Sequence, residues 1–355
     1  MSSTDHHDDT HKGGDGRWHL SLHPDVQKQD PRSALSHFGT LIHPTHVTLK
    51  SSSGQEEDMN WTSRDHRKHR HVSQDPNTGR TRRGQGDLTV LHKILNLRRI
   101  EYWNASWWVA MLFTVGSIVW VINGFIAFLP FVNTHVAKDP VGDGWTVWIG
   151  ATIFEFGALC GLWEAWNRDD TADFGYGVRR LLSGKDQEAA VGSERKEAEQ
   201  LPRKKWIWYS TEGKYFHELG FLAAFVQYLA ATIFWISGFT AIPQVQNSIE
   251  SKTAILDVFF WTPQVVGGTG FVIASALMML ETQKKWYLPA PTSLGWHVGF
   301  WNLVGGVGFA LCGALGYGLN DSTKVAYQSS CSTFWGGWAF LIGSVIQWYE
   351  AVNPV

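Results

Sequence analysis

Residues Ser106–Leu129, SWWVAMLFTVGSIVWVINGFIAFL, run for 24 positions without one charged side chain. As a helix rising ~1.5 Å per residue, this stretch is about 36 Å long, enough to cross a hydrocarbon layer of about 30 Å. In lipid every backbone N–H and C=O must find a partner inside the protein. A helix does this alone, whereas a barrel needs short strands of alternating polarity, and this stretch does not alternate. Five further apolar segments follow, at about 145–166, 219–241, 257–280, 296–317 and 332–349. The reading is an all-α membrane protein with six transmembrane helices.

The rest of the chain differs sharply. The mean hydropathy of −0.15 averages an apolar two-thirds with a polar beginning. Twelve of the 15 histidines lie before residue 100, among tracts such as Arg64-Asp-His-Arg-Lys-His-Arg-His71. Such segments bury too little apolar surface to offset chain entropy, so 1–97 is expected to be a disordered, His-rich tail. A net charge of −2 argues against a nucleic-acid partner. Three cysteines make no disulfide framework, and no motif calls for a cofactor or a metal. The N-terminus lacks the apolar core of a cleaved signal, which leaves the first spanning helix as the expected targeting signal.

Lysine and arginine set the expected orientation. Eighteen lie in 80–99, 167–217 and 282–294, against three (Lys138, Lys252 and Lys324) in the alternate joints. The positive-inside rule then places both termini in the cytoplasm, in a membrane the sequence does not identify. Twenty tryptophans, many at the ends of apolar runs, suit the headgroup layer.

Comparing the segments with one another gives an internal repeat. Lys204-Lys205-Trp206 and His217 recur as Lys284-Lys285-Trp286 and His297, each 80 positions on. The first helices end in Asn123-Gly124-Phe125, Ser237-Gly238-Phe239 and Leu315-Gly316-Tyr317. The second helices share Gly150, Phe154, Gly157 and Glu164 with Gly267, Phe271, Ala274 and Glu281, and with Gly336, Phe340, Gly343 and Glu350. Small residues on one helical face admit a neighbouring helix closely. The division is therefore three repeated hairpins at 98–166, 204–283 and 284–355, with a charged cytoplasmic loop at 167–203, in a bundle of approximate threefold character.

At Trp286–His297 and Phe334–Ser344 the chain resembles uncharacterised fungal polytopic membrane proteins. Gly336-x-x-x-Phe340-x-x-Gly343-Ser344 and Gly267-x-x-x-Phe271-x-x-Ala274-Ser275 are similar to the two-helix YrhK-like membrane domain. The resemblance implies a membrane location and no reaction.

Two constellations carry chemistry. Glu155 lies near mid-membrane, where a carboxylate costs several kcal/mol unless paired or hydrated, and Gln227 and Asn302 lie at compatible depths. Glu164, Glu281, Glu350, His217 and His297 form a cytoplasmic-side layer suited to proton relay, metal binding or plain ion pairing. Lys204, Lys205 and Trp206, with Lys284, Lys285 and Trp286, are expected to contact anionic lipid headgroups. Since catalytic signatures are otherwise missing, the leading reading is a non-catalytic membrane organiser that binds lipid, a protein partner or a second copy of itself. A transporter or channel using Glu155 is the alternative. A headgroup-layer enzyme with a histidine base comes third, so enzymatic activity is left open with a lean against it.

Overall fold

The structure, a computed structural model, describes residues 26–35, 41–51, 59–68, 90–167, 206–319 and 322–353. It begins with an antiparallel meander of β1 (Val26–Arg32), β2 (His46–Ser51) and β3 (Met59–Thr62). Register runs from Val26 opposite Ser51 and from His46 opposite Thr62. Thr62 both ends β3 and caps α1 (Ser63–Arg67), its side chain accepting from the Asp65 N–H. The chain is therefore not all-α, and the expected structureless tail is corrected in this part. The strands are short and polar, and β3 runs directly into α1, which packs on two of the long helices described next.

After the short α2 (Val90–Leu95), the long helices are α3 (Ala105–Val132), α4 (Pro140–Trp166), α5 (Leu219–Thr240), α7 (Thr253–Thr282) and α8 (Leu294–Gly316). These five are long and apolar enough to cross a membrane, as expected of a multi-pass membrane protein. The short α6 (Pro243–Ile249) joins α5 to α7. The sixth long helix, α9 (Thr323–Val352), falls short on apolarity because it carries Ser329, Ser332, Thr333, Ser344 and Gln347. All five of these side chains are buried against neighbours.

Each long helix packs on the next in sequence, and α9 returns to α3, so the six close a ring. The outward faces are apolar, as at Ile118 and Ile122 on α3, Ile273 on α7 and Ile342 and Val345 on α9. Helix starts follow local chemistry. Asn104 caps α3, Asp139 accepts from the Gly142 N–H ahead of α4, and Ser322 caps α9. In α7 a π-turn spans Asp257–Trp261, just before Pro263. Proline has no N–H for the Phe259 carbonyl, and the Thr240 hydroxyl of α5 donates to that carbonyl at 2.9 Å instead.

The centre of the ring is filled by six aromatic side chains, one from each long helix. Trp120, Phe234 and Phe309 form one triangle, with ring centroids 4.7 to 5.7 Å apart. Phe154, Phe271 and Phe340 form a second, at 5.4 to 6.4 Å. Small residues let the triangles sink into the helix surfaces. A Cβ on Gly150 would lie 2.9 Å from Trp120, one on Gly267 2.7 Å from Phe234, and one on Gly336 3.1 Å from Phe309. Each of these glycines stands four residues before its own helix's phenylalanine. A ring thus fills the groove that a neighbour's glycine opens.

Candidate functional site

Ten residues beyond each ring of the second triangle stands a glutamate: Glu164, Glu281 and Glu350. All three fall in the last turns of their helices, where unsatisfied carbonyls give the helix end a partial negative charge. Three carboxylates at three such ends make a site that demands cations. All are buried, Glu281 to 1% exposure.

The cations come from α1. Thr62 starts the helix there, so Arg64, Arg67 and Lys68 stand at i, i+3 and i+4 and share one face. Arg64 Nε and Nη2 donate to the two Glu350 oxygens at 2.9 and 2.7 Å. Arg67 Nη1 and Nη2 donate to the Glu281 oxygens at 2.8 and 3.0 Å. Ser63 Oγ adds a bond of 3.1 Å to Glu281. Glu164 stands 3.6 Å from Arg67 Nε and 3.7 Å from Lys68 Nζ, and Lys68 also reaches Glu350 at 3.8 Å. Three positive and three negative side chains thus close one end of the bundle, with two fork-on-fork pairs at its heart. Burial works against the Arg64 charge, yet Glu350 and then Glu281 and Glu164 more than offset it. Its guanidinium is held above its ordinary range.

Two glycines make room for this layer. A Cβ on Gly220, at the start of α5, would run into Arg67 Nη1, and one on Gly295, at the start of α8, into Arg64 Nε. Both lie fourteen residues before the triangle rings Phe234 and Phe309, and the buried Ser106 holds that register before Trp120. Asparagines pin the surroundings. Asn167, after α4, bonds the Ile207 backbone in both directions at 2.8 Å. Asn353, after α9, accepts from Asn96 at 2.8 Å.

The expected layer is thus assembled from its glutamates without its histidines. His217 Nδ1 donates to the Leu41 carbonyl at 2.9 Å, and the His43 N–H donates to the His217 carbonyl at 2.7 Å, which fixes 41–43 to the start of α5. His297, in the first turn of α8, has Nε2 2.8 Å from the Pro291 carbonyl of the preceding loop. Neither imidazole makes a bond to a glutamate of the layer.

Glu155, Gln227 and Asn302 are not brought together. Glu155 is half-buried between α4 and α5, where Thr232 Oγ1 donates to it at 2.9 Å, its one hydrogen bond among the described residues. Asn302 of α8 faces Gly343 of α9. Gln227 is half-buried and makes no hydrogen bond among the described residues. The two Lys-Lys-Trp tracts also differ. Trp206 is buried beside Trp208, while Trp286 is 62% exposed next to Lys284 and Lys285. Lys204 and Lys205 lie outside the described residues, as do the 168–203 part of the charged loop and the early histidines.

The missed partners of the glutamates were the cations of 64–68, which local composition assigns to a polar tail. Their signal was the spacing of Arg64, Arg67 and Lys68 on one helical face, equal in number to the glutamates. Comparison of the chain with family models, with curated proteins and with solved structures returned no match.

Proposed function

We propose that the protein is a non-catalytic membrane organiser. In this reading all six long helices span the bilayer as three repeated hairpins. The N-terminal segment docks on the cytoplasmic end of the bundle. One observation carries it: the axis of the ring is packed by two aromatic triangles, and its glutamate end is closed by an internal ion-pair layer. A carrier needs a path that binds cargo and releases it, and neither feature supplies one. A headgroup enzyme of the kind expected pairs a histidine base with a glutamate of the layer, whereas both imidazoles point a ring nitrogen at a backbone carbonyl and neither bonds one of those glutamates.

The positive-inside count supports a cytoplasmic glutamate end, as does the entry of α3, α5 and α8 from that end. The apolar outer face of α9 supports a sixth span. Glu155 with Thr232 then offers a polar contact to a partner helix or a second copy in the membrane. Lys284, Lys285 and Trp286 contact anionic headgroups. The test is reconstitution into liposomes, with proton and cation flux measured beside cross-linking in native membranes. The expected result is flux equal to empty liposomes and a stable stoichiometric partner. A flux abolished by Glu155→Gln in a folded protein would replace this reading with the transporter.

A further inference from the structure

At the end away from the glutamates a cavity of about 370 Å³ opens among all six long helices. That is within the range of small-molecule sites, roughly 300–1,000 Å³. Trp120, Phe234 and Phe309 form its floor, and Phe260 and Trp261 its wall. Two charged side chains among the described residues face it, Asp143 in the first turn of α4 and Lys138 in the α3–α4 connection.

Two polar groups in the lining are only partly used. Asp143 Oδ1 accepts from Asn123 Nδ2 at 2.7 Å, and its other oxygen accepts no hydrogen bond among the described residues. Gln264 is 7% exposed, and its Oε1 meets only the Cys312 thiol, at 3.8 Å. Its two amide N–H donors have no partner among the described residues. Buried carboxamides are ordinarily satisfied, and this one lines a space large enough for a ligand that would satisfy it.

The chemistry of the lining is selective. Aromatic faces around a carboxylate recognise an ammonium group. At the rim the chain's own ammonium, Lys138 Nζ, sits 5.4 Å from the centre of the Phe131 ring and offers a positive charge to an anion. Among the described residues, one carboxylate and one ammonium leave the lining neutral.

We propose that this cavity binds a small zwitterion with the ammonium–phosphate chemistry of a lipid headgroup. Its ammonium pairs with Asp143 over the aromatic floor, and its acidic group lies at Lys138, with Gln264 donating to the ligand. The source is either a phospholipid of the adjacent leaflet or a free solute. This inference is independent of the organiser reading, because it uses the opposite end of the bundle.

The experiment uses the full chain, delipidated in maltoside detergent, and follows thermal unfolding with three probes. These are phosphocholine, choline and 3,3-dimethylbutan-1-ol, an uncharged isostere of choline. Phosphocholine is expected to raise Tm saturably, choline to bind about tenfold more weakly, and the isostere to do nothing. Asp143→Asn is expected to weaken both ammonium-bearing probes by about tenfold or more. Lys138→Ala, at an exposed position outside the packed core, should reduce phosphocholine to the level of choline. Native mass spectrometry from phosphatidylcholine nanodiscs separates the sources. A retained lipid displaced by phosphocholine marks a headgroup site, and phosphocholine bound without displacement marks a solute site. Equal shifts from all three probes would overturn the proposal. So would an undiminished phosphocholine response in Lys138→Ala, even where Asp143→Asn fails to fold.

Discussion

Replacing Glu281 by Met tests the ion-pair layer most directly. The substitution keeps the bulk of the side chain but removes both acceptors of Arg67 and the acceptor of Ser63, leaving a guanidinium of 9% residue exposure without its bidentate partner. Breaking a buried pair from one side costs about 3–5 kcal/mol, much of it the penalty of the stranded charge. Arg67 retains Glu164 at 3.6 Å from Nε, so the low end applies, about 3 kcal/mol. At roughly 2–4 °C per kcal/mol for a body of this size, Tm should fall by roughly 6–12 °C. The second arm is Arg67→Met with Glu281→Met, which removes both charges and leaves apolar volume in their place. Replacing a whole buried pair in this way is often neutral or stabilising, so the double variant should recover most of the loss. The assay is thermal unfolding of the detergent-solubilised chain across the double-mutant cycle. A double variant no better than the sum of the singles would mean zero coupling and would refute the layer as described.

Gly220→Leu should drive Arg67 off Glu281, and limited proteolysis should then cut within 41–68 while helicity by circular dichroism is kept. Phe154→Ala should cost about 3–5 kcal/mol by chemical or thermal unfolding, because this ring bridges Trp120, Phe271 and Phe340 at the axis. Glu155→Gln should change stability by less than about 1 kcal/mol, since the amide oxygen can still accept from Thr232 at a half-buried position. Burial and then the nearby Lys284 hold the His46 imidazole below its ordinary 6.5, despite the opposing pull of Glu281 and Asp65. The neutral form is therefore favoured by folding. Its stabilisation is complete above pH 6.5 and is lost as pH falls through the lowered value. Protection factors of amides 45–47, with exchange rates corrected for their intrinsic pH dependence, should fall on acidification, and His46→Gln should abolish that fall.

The five apolar spans were legible because an unbroken apolar run of that length is stable in few surroundings besides hydrocarbon. The phenylalanines and glutamates of the second helices were legible too. Phe154, Phe271 and Phe340 meet in one triangle, and Glu164, Glu281 and Glu350 share one set of cations. The first helices were read in the wrong register. Their rings relate Phe234 to Phe309 at a separation of 75, not the 80 that links the Lys-Lys-Trp tracts and His217 to His297. On the ring alignment Asn123-Gly124 and Ser237-Gly238 match Cys312-Gly313, not Leu315-Gly316. Loop composition misled because Trp206 and Trp286 share flanking residues but not surroundings. The meander and α1 were missed for another reason. A window of sequence reports local hydropathy, whereas a run of cations becomes buried only because carboxylates more than two hundred residues away wait for it.

The Arg64–Glu350 pair joins positions 286 residues apart. Synthesis makes the arginine long before its partner, so the bidentate pair forms only once α9 exists. Until then Glu281, 3.9 Å from Arg64, and Glu164, beside Arg67 and Lys68, are the acceptors on hand. The Arg64–Glu350 pair thus closes last, and it ties the N-terminal segment to the final long helix of the chain.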